Sequence, residues 1–343
     1  MSRVGGYVDR PLRGERSWKE SNVSSRSFKF AGVTALAAAA LLVSGCGGQS
    51  SAGSAGGGGG PQGTVTVDGS STVAPLSEAA ADMFRSVSPG VNVTVATAGT
   101  GGGFKKFCAG ETDISDASRP IKDEEAAECK AKGIEYSEVI VANDGLTVVV
   151  NPENTWAKCL TVAQLKTMWS PESEGKIENW NQIDKSFPDQ NLALFGAGTD
   201  SGTFDYFTQA INGEEGASRT DYSPSEDDNV TIQGVKGDKG AVGYFGLSYA
   251  EQNPDAVKAI EVDGGNGCVA PNTQTVQDKT YKPLARPLFI YVKHSSFKDS
   301  EAVRSYVNFY VDNTEKVAQE ALFVPLTPEQ LKTAQSELGS IAD

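Results

Sequence analysis

The sequence predicts an α/β protein of two lobes around a cleft. Three observations carry this. Strand-like and helix-like segments alternate through the first part of the folded chain, the signature of βαβ units on a mostly parallel sheet. The alternation restarts past Asn151, and a last strand and helices from Arg286 onward can return to the first unit. A chain of 343 residues has room for two such units, at roughly 100–200 residues per domain.

The elements follow in order. Thr64–Asp68 alternates like a strand and stops at Gly69. Pro75–Val87 places Leu76, Ala80, Met83, Phe84 and Val87 at helical spacing, and Pro89-Gly90 ends it. Val91–Ala96 is a second alternating strand, followed by a short helix at Phe104–Ala109 that Gly110 closes. Asp113–Ala117 reads as a strand end, and Asp123–Lys132 as a helix closed by Gly133. Residues 134–151 form a long β-rich run. In the second unit, Val162–Trp169 is helical, Leu192–Gly196 is a strand, and Thr203–Ile211 is a helix stopped by Asn212-Gly213. Gly240–Phe245, Val257–Val262 and Arg286–Lys293 are further strands. Amphipathic helices close the chain, the last opened by the capping box Thr327-Pro-Glu-Gln330.

Composition narrows the function. Hydrophobic residues make up 38% and charged residues 22%, as in soluble globular proteins. The net charge of −14 argues against a nucleic-acid binder, which needs a basic face. A single histidine, His294, leaves no histidine cluster for a metal.

Near the N-terminus, Arg26 and Lys29 precede an apolar stretch at residues 30–43. That stretch is shorter than the ~20 residues of a spanning helix and reads as a secretory signal. Val43-Ser44-Gly45-Cys46 then looks like a bacterial lipobox, so Cys46 is expected to carry lipid after cleavage. Residues 47–63, rich in Gly and Ser, form a flexible tether.

Four cysteines remain, Cys108, Cys129, Cys159 and Cys268, without zinc spacing. In an exported protein they predict two disulfides. Three pairings are open. Cys108–Cys129 with Cys159–Cys268 is favoured because each bond then stays within one lobe.

Three strand-to-helix turns are rich in Ser, Thr and Gly: Asp68–Pro75, Gly99–Phe104 and Gly196–Phe204. At a helix start, unpaired N–H groups and the dipole attract negative charge, and Ser or Thr adds a hydroxyl donor. One such turn is usually an ordinary cap. Three of them, with Arg119 in a fourth strand-end loop, point to a shared anion site. GxxxxGK[ST] and GxGxxG are both absent, which leaves nucleotides without support.

These motifs, in this order, resemble the extracytoplasmic phosphate-binding proteins of bacterial phosphate ABC transporters. The resemblance rests on Gly69–Pro75, Gly99–Phe104, Asp113–Pro120 and Asp200–Thr203, with Leu160–Leu165 and Gly175–Asn181 as the opening of the second lobe. It implies a type II periplasmic-binding-protein fold, two α/β lobes joined by two crossing strands. It also implies a phosphate held in the cleft by Ser71, Thr72 and Val73, with Ser70 as a further candidate, by Thr100 and Gly101, by Ser118, and by Ser201, Gly202 and Thr203. The chain departs from the family's best-known pattern at two positions: Arg119 replaces an aspartate, and Ala197 replaces an arginine. Arg119 is therefore expected to supply the cation.

Phosphate at neutral pH keeps a proton that sulfate lacks, so a cleft carboxylate that accepts it discriminates between the two. Asp200 is the first candidate, then Asp144 and Asp116.

The expected organisation is a signal peptide at 1–45, lipidated Cys46 and tether at 46–63, lobe I from 64–143 plus 287–343, and lobe II from 144–286. The expected function is capture of inorganic phosphate at the outer face of the membrane by a lipid-anchored monomer. Hinge closure traps the ion for an ABC permease and its ATPase. No metal or other cofactor is implied. The alternatives are a binding protein for sulfate, molybdate or tungstate and, more remotely, a serine hydrolase or phosphatase using Ser201 and His294.

Overall fold

The computed structural model describes residues 60–199 and 201–342. Cys46, almost all of the tether and Asp200 lie outside the described residues.

Twelve strands are described: β1 (Gly63–Gly69), β2 (Val91–Ala96), β3 (Ile114–Ala117), β4 (Tyr136–Val150), β5 (Cys159–Thr161), β6 (Ala193–Ala197), β7 (Ser223–Ser225), β8 (Ala241–Gly246), β9 (Lys258–Ala259), β10 (Glu261–Asp263), β11 (Cys268–Val269) and β12 (Ala285–Lys293). Nine join one sheet in the order β2-β1-β3-β12-β4-β8-β6-β7, with β9 also on β4, and β11-β10-β5 form a small second sheet. Neighbours β2-β1-β3 and β8-β6-β7 are parallel. The antiparallel pair β4–β12 links the two parallel sets, pairing from Tyr136 opposite Lys293 to Gly145 opposite Ala285.

Helices cover both faces of the large sheet. On the first half lie α1 (Ala74–Arg85), α2 (Thr100–Cys108) and α3 (Asp123–Ala131). On the second half lie α4 (Val162–Trp169), α5 (Trp180–Ile183), α6 (Gly202–Phe207), α7 (Asp228–Gly237), α8 (Leu247–Gln252) and α9 (Thr273–Gln277). The chain closes with α10 (His294–Asp299), α11 (Glu301–Asp312), α12 (Thr314–Glu320) and α13 (Pro328–Ala342). None of the helices among the described residues is long and apolar enough to cross a membrane.

Burial follows the sequence periodicities. Leu76, Ala80 and Phe84 of α1 join Val65 and Val67 of β1 and Tyr306 and Tyr310 of α11 in a core built from residues 65–142 and 288–341. Phe104, Phe107 and Tyr291 fill the opposite face of that half. The second half has its own pair of cores. One is built around Trp169, Trp180, Phe207 and Tyr244, and the other around Ile232, Val235 and Phe245. We call the halves lobes I and II. Both disulfides form within a lobe: Cys108–Cys129 ties α2 to α3, and Cys159–Cys268 ties β5 to β11. At the C-terminus, Gln330 N–H donates to Thr327 Oγ1 at 3.2 Å and Thr327 N–H to Gln330 Oε1 at 2.8 Å, the reciprocal pair of a capping box.

The structure departs from the sequence expectation in three places. The helix expected at Phe104–Ala109 starts at Thr100 and runs through three glycines. The strand expected over Val257–Val262 breaks in two: β9 pairs with β4, and β10 with β5 of the small sheet. The helix expected at Thr203–Ile211 begins one residue earlier as α6, then widens into a π turn over Thr208–Asn212.

Candidate functional site

A cavity of about 790 Å³ opens between the lobes. Its lobe I wall carries Ser70, Ser71, Thr72, Thr100, Gly101, Ser118 and Arg119. Asp205, Tyr206, Gln209 and Glu215 line it from lobe II, and Arg286 from the crossing strand β12.

The first loop is a tight turn. Val73 N–H and Ala74 N–H donate to Ser70 O at 3.1 and 3.0 Å, and Thr72 N–H donates to Ser70 Oγ at 3.2 Å. The Val73 side chain is fully buried, so the amides of Thr72 and Val73 serve the turn while the Thr72 hydroxyl remains at the site. The second loop meets the strand-end loop after β3 through hydroxyls, with Thr100 Oγ1 and Ser118 Oγ 3.1 Å apart.

On the lobe II side, Ser201 caps α6, its Oγ accepting from Thr203 N–H at 3.1 Å. Gly202 lies directly against the first loop: a Cβ there would fall 2.2 Å from Thr72 Oγ1 and 2.6 Å from Thr72 N. This contact needs glycine. Thr203 faces a small adjoining cavity of about 70 Å³ together with Asp144.

Arg286 is the cation at the junction. Its Nε donates to Asp144 Oδ2 at 3.1 Å, Nη1 to Ser118 O at 3.3 Å and Nη2 to Thr72 Oγ1 at 3.0 Å. Its Cζ lies 3.6 Å from the centre of the Tyr206 ring. Asp144 stands opposite Arg286 in the β4–β12 register. Burial pushes the Asp144 carboxyl above its usual range, and Arg286 opposes the shift. A guanidinium has five N–H donors. Three have these partners, which leaves one on each Nη for a bidentate guest.

Arg119, expected as the cation, lines the cavity differently. Its Nη1 and Nη2 both bind the Glu125 carboxylate at 2.8 Å, which takes up its fork. The sequence reasoning missed Arg286. The signal was an arginine near the start of a strand that then stays uncharged to Val292, on the last residue of the expected lobe II, with Asp144 on its first.

The other candidates fall elsewhere. Asp116 is fully buried behind the first loop and does not line the cavity. His294 sits beside Ser137, with Nε2 to Ser137 Oγ at 3.1 Å, and neither lines the cavity. Asp205 does face it, and burial, with Glu215 nearby, pushes its carboxyl up to about 6.

A family model described as a PBP superfamily domain matches residues 54–314. The "Phosphate-binding protein PstS" of Staphylococcus haemolyticus is 38% identical over 92% of this chain and 97% of its own. The chain belongs to the PstS family of the PBP superfamily. That family is a class of substrate-binding proteins. The "Protein SphX" of Synechococcus elongatus is 50% identical over 80% of each chain. A crystal structure described as a possible phosphate binding protein from Planctomyces limnophilus superposes with a TM-score of 0.78 at 45% identity, covering 82% of this chain and all of that one. The PstS relationship extends over both lobes and includes the crossing pair that carries Arg286 and Asp144.

Proposed function

We propose that the protein captures inorganic phosphate in the cleft and hands it to the membrane permease of an ABC transporter. The observation that carries this is the setting of Arg286. Asp144 orients the guanidinium along one edge and Tyr206 covers its face, so the fork meets a tetrahedral oxyanion without reorganising. The hydroxyls of Thr72, Thr100 and Ser118 surround it as further donors. Ser71, Ser70 and Gly101 complete the lobe I wall, while Ser201, Gly202 and Thr203 do not line this cavity and pack beside it, Gly202 against Thr72, at the start of α6. In this reading Arg119 shapes the cleft wall and Arg286 takes the charge role. The signal-like segment, Cys46 and the glycine tether support a lipid anchor at the outer face of the membrane, where a relayed ion reaches its permease without escaping. The names of the PstS relatives support phosphate as the guest.

Isothermal titration of the purified full chain with phosphate, arsenate and sulfate tests this. Phosphate should bind well ahead of sulfate. Arg286→Ala should weaken phosphate by about 100-fold, since a charged pair of hydrogen bonds contributes about 3 kcal/mol. Arg119→Ala should cost far less. If Arg286→Ala binds phosphate within twofold of the parent, or if sulfate wins, the reading fails.

A further inference from the structure

Asp116 is a titratable group that the cleft does not use directly. It sits on β3 opposite Gly69 of β1, and its backbone oxygen accepts from Ser70 N–H at 2.9 Å. Its carboxyl points into the lobe I core with 0% exposure. Oδ1 accepts from Ser77 Oγ at 2.8 Å, while Oδ2 is buried with no hydrogen-bond partner. Ser77 belongs to the first turns of α1: its N–H donates to Val73 O at 3.2 Å, and its carbonyl accepts from Tyr306 Oη at 2.8 Å. One carboxyl thus links β3 to the helix that carries the first anion loop.

A buried carboxylate oxygen with no donor carries a heavy desolvation cost, and the neutral acid carries far less. Of the groups facing Asp116, Ser77 alone favours its charge, by donating to Oδ1. Tyr306 and Tyr310 of α11 are uncharged neighbours, and Glu78 of α1 and Asp68 of β1 both raise its proton affinity. Asp68 is itself paired with Lys106.

We infer that Asp116 is a positioning residue that works as a neutral acid: protonated, it anchors Ser77 behind the Ser70–Val73 turn without adding a charge, and ionised, it sets a negative charge behind that turn and weakens the binding of the anion. This inference rests on the phosphate reading above. Burial, with Asp68 and Glu78 adding and Ser77 opposing, pushes the carboxyl up to about 7, so the change falls within the physiological range. By linkage, a bound anion in turn tightens the proton on Asp116. The sign for stability is the same. The folded state holds the proton more tightly than the unfolded chain, whose aspartate titrates near ~3.9, so the contribution is full below that value and is lost as pH rises through about 7.

The test is phosphate titration of the full chain and of Asp116→Asn from about pH 5.5 to about pH 9, a span that brackets the shifted carboxyl. Phosphate's own ionisation is common to both, so the ratio of their dissociation constants isolates Asp116. From the acid to the alkaline end the parent should weaken relative to the variant by about 3- to 30-fold, as expected for a charge several ångströms behind the site. A ratio that stays flat overturns the linkage. The carbon-13 shift of the Asp116 carboxyl, followed in the unsubstituted chain, needs no variant: a midpoint near 7 supports the inference, and one near ~4 overturns it. A parent that binds no phosphate at any pH overturns the functional reading and the linkage with it, while the carboxyl midpoint still decides whether Asp116 is a neutral acid.

Discussion

Arg286 is held on its edge by Asp144 and on its face by Tyr206, and the two contacts make different demands. The edge contact needs a carboxylate. The face contact needs only a ring, because the attraction is between the cation and the π-cloud. Tyr206→Phe should therefore keep phosphate affinity and lose only the hydroxyl's 2.7 Å bond to Pro283 O, at about 1 kcal/mol of stability. Tyr206→Leu should lower affinity by about 5- to 30-fold, since a desolvated cation–π contact contributes about 1–2 kcal/mol. Titration paired with thermal melts separates the two effects. At this scale the meeting of the first two hydroxyl loops and Ser118 on one cavity was legible, because Ser, Thr and Gly clustered at helix starts have a local meaning, while the Gly196–Phe204 loop does not line that cavity. The cation was not. Arg119 stood inside a recognisable motif, yet Glu125 six residues later takes up its fork, whereas Arg286 acquires its role only through the pairing of two strands more than a hundred residues apart.

Elements were legible where their pattern is strong and local. Val91–Ala96 and Val162–Trp169 lie where their periodicity puts them. The helix α2 shows what overrides propensity: Gly101, Gly102 and Gly103 are poor helix formers, yet the helix runs through them because α2 packs tightly on β1. A Cβ on Gly103 would lie 2.5 Å from Gly69 Cα and 2.9 Å from Ser115 Oγ. Gly103→Ala should thus destabilise lobe I by about 1–3 kcal/mol in denaturant unfolding, despite alanine's better helix propensity. It should also weaken phosphate binding by shifting Thr100. A more stable variant would show that the approach is not tight. The break between β9 and β10 was illegible for a related reason. Ile260 N–H bonds Val148 O of β4, and the next residues leave for the small sheet, a change of partner that the continuous strand-like run Val257–Val262 does not announce.

Across the whole molecule, one sheet runs through both lobes while each lobe keeps its own cores and its own disulfide. The bonds close loops of different size, with sequence separations of 21 for Cys108–Cys129 and 109 for Cys159–Cys268. On chain-entropy grounds the shorter loop contributes about 3 kcal/mol and the longer about 4–5 kcal/mol. Replacing Cys159 and Cys268 together with serine should therefore lower the unfolding midpoint more than replacing Cys108 and Cys129, as followed by denaturant titration. The reverse order would mean that native-state geometry, rather than loop length, sets their worth.

The pairing of Arg286 with Asp144 across β4 and β12 has a mechanical side. If the lobes swing about these strands, as the proposed phosphate capture would require, Arg286 rides on the axle instead of on either jaw. A point on an axle barely travels while the jaws sweep, so lifting Gly202 away from Thr72 would open the cleft without moving Arg286 from its carboxylate partner.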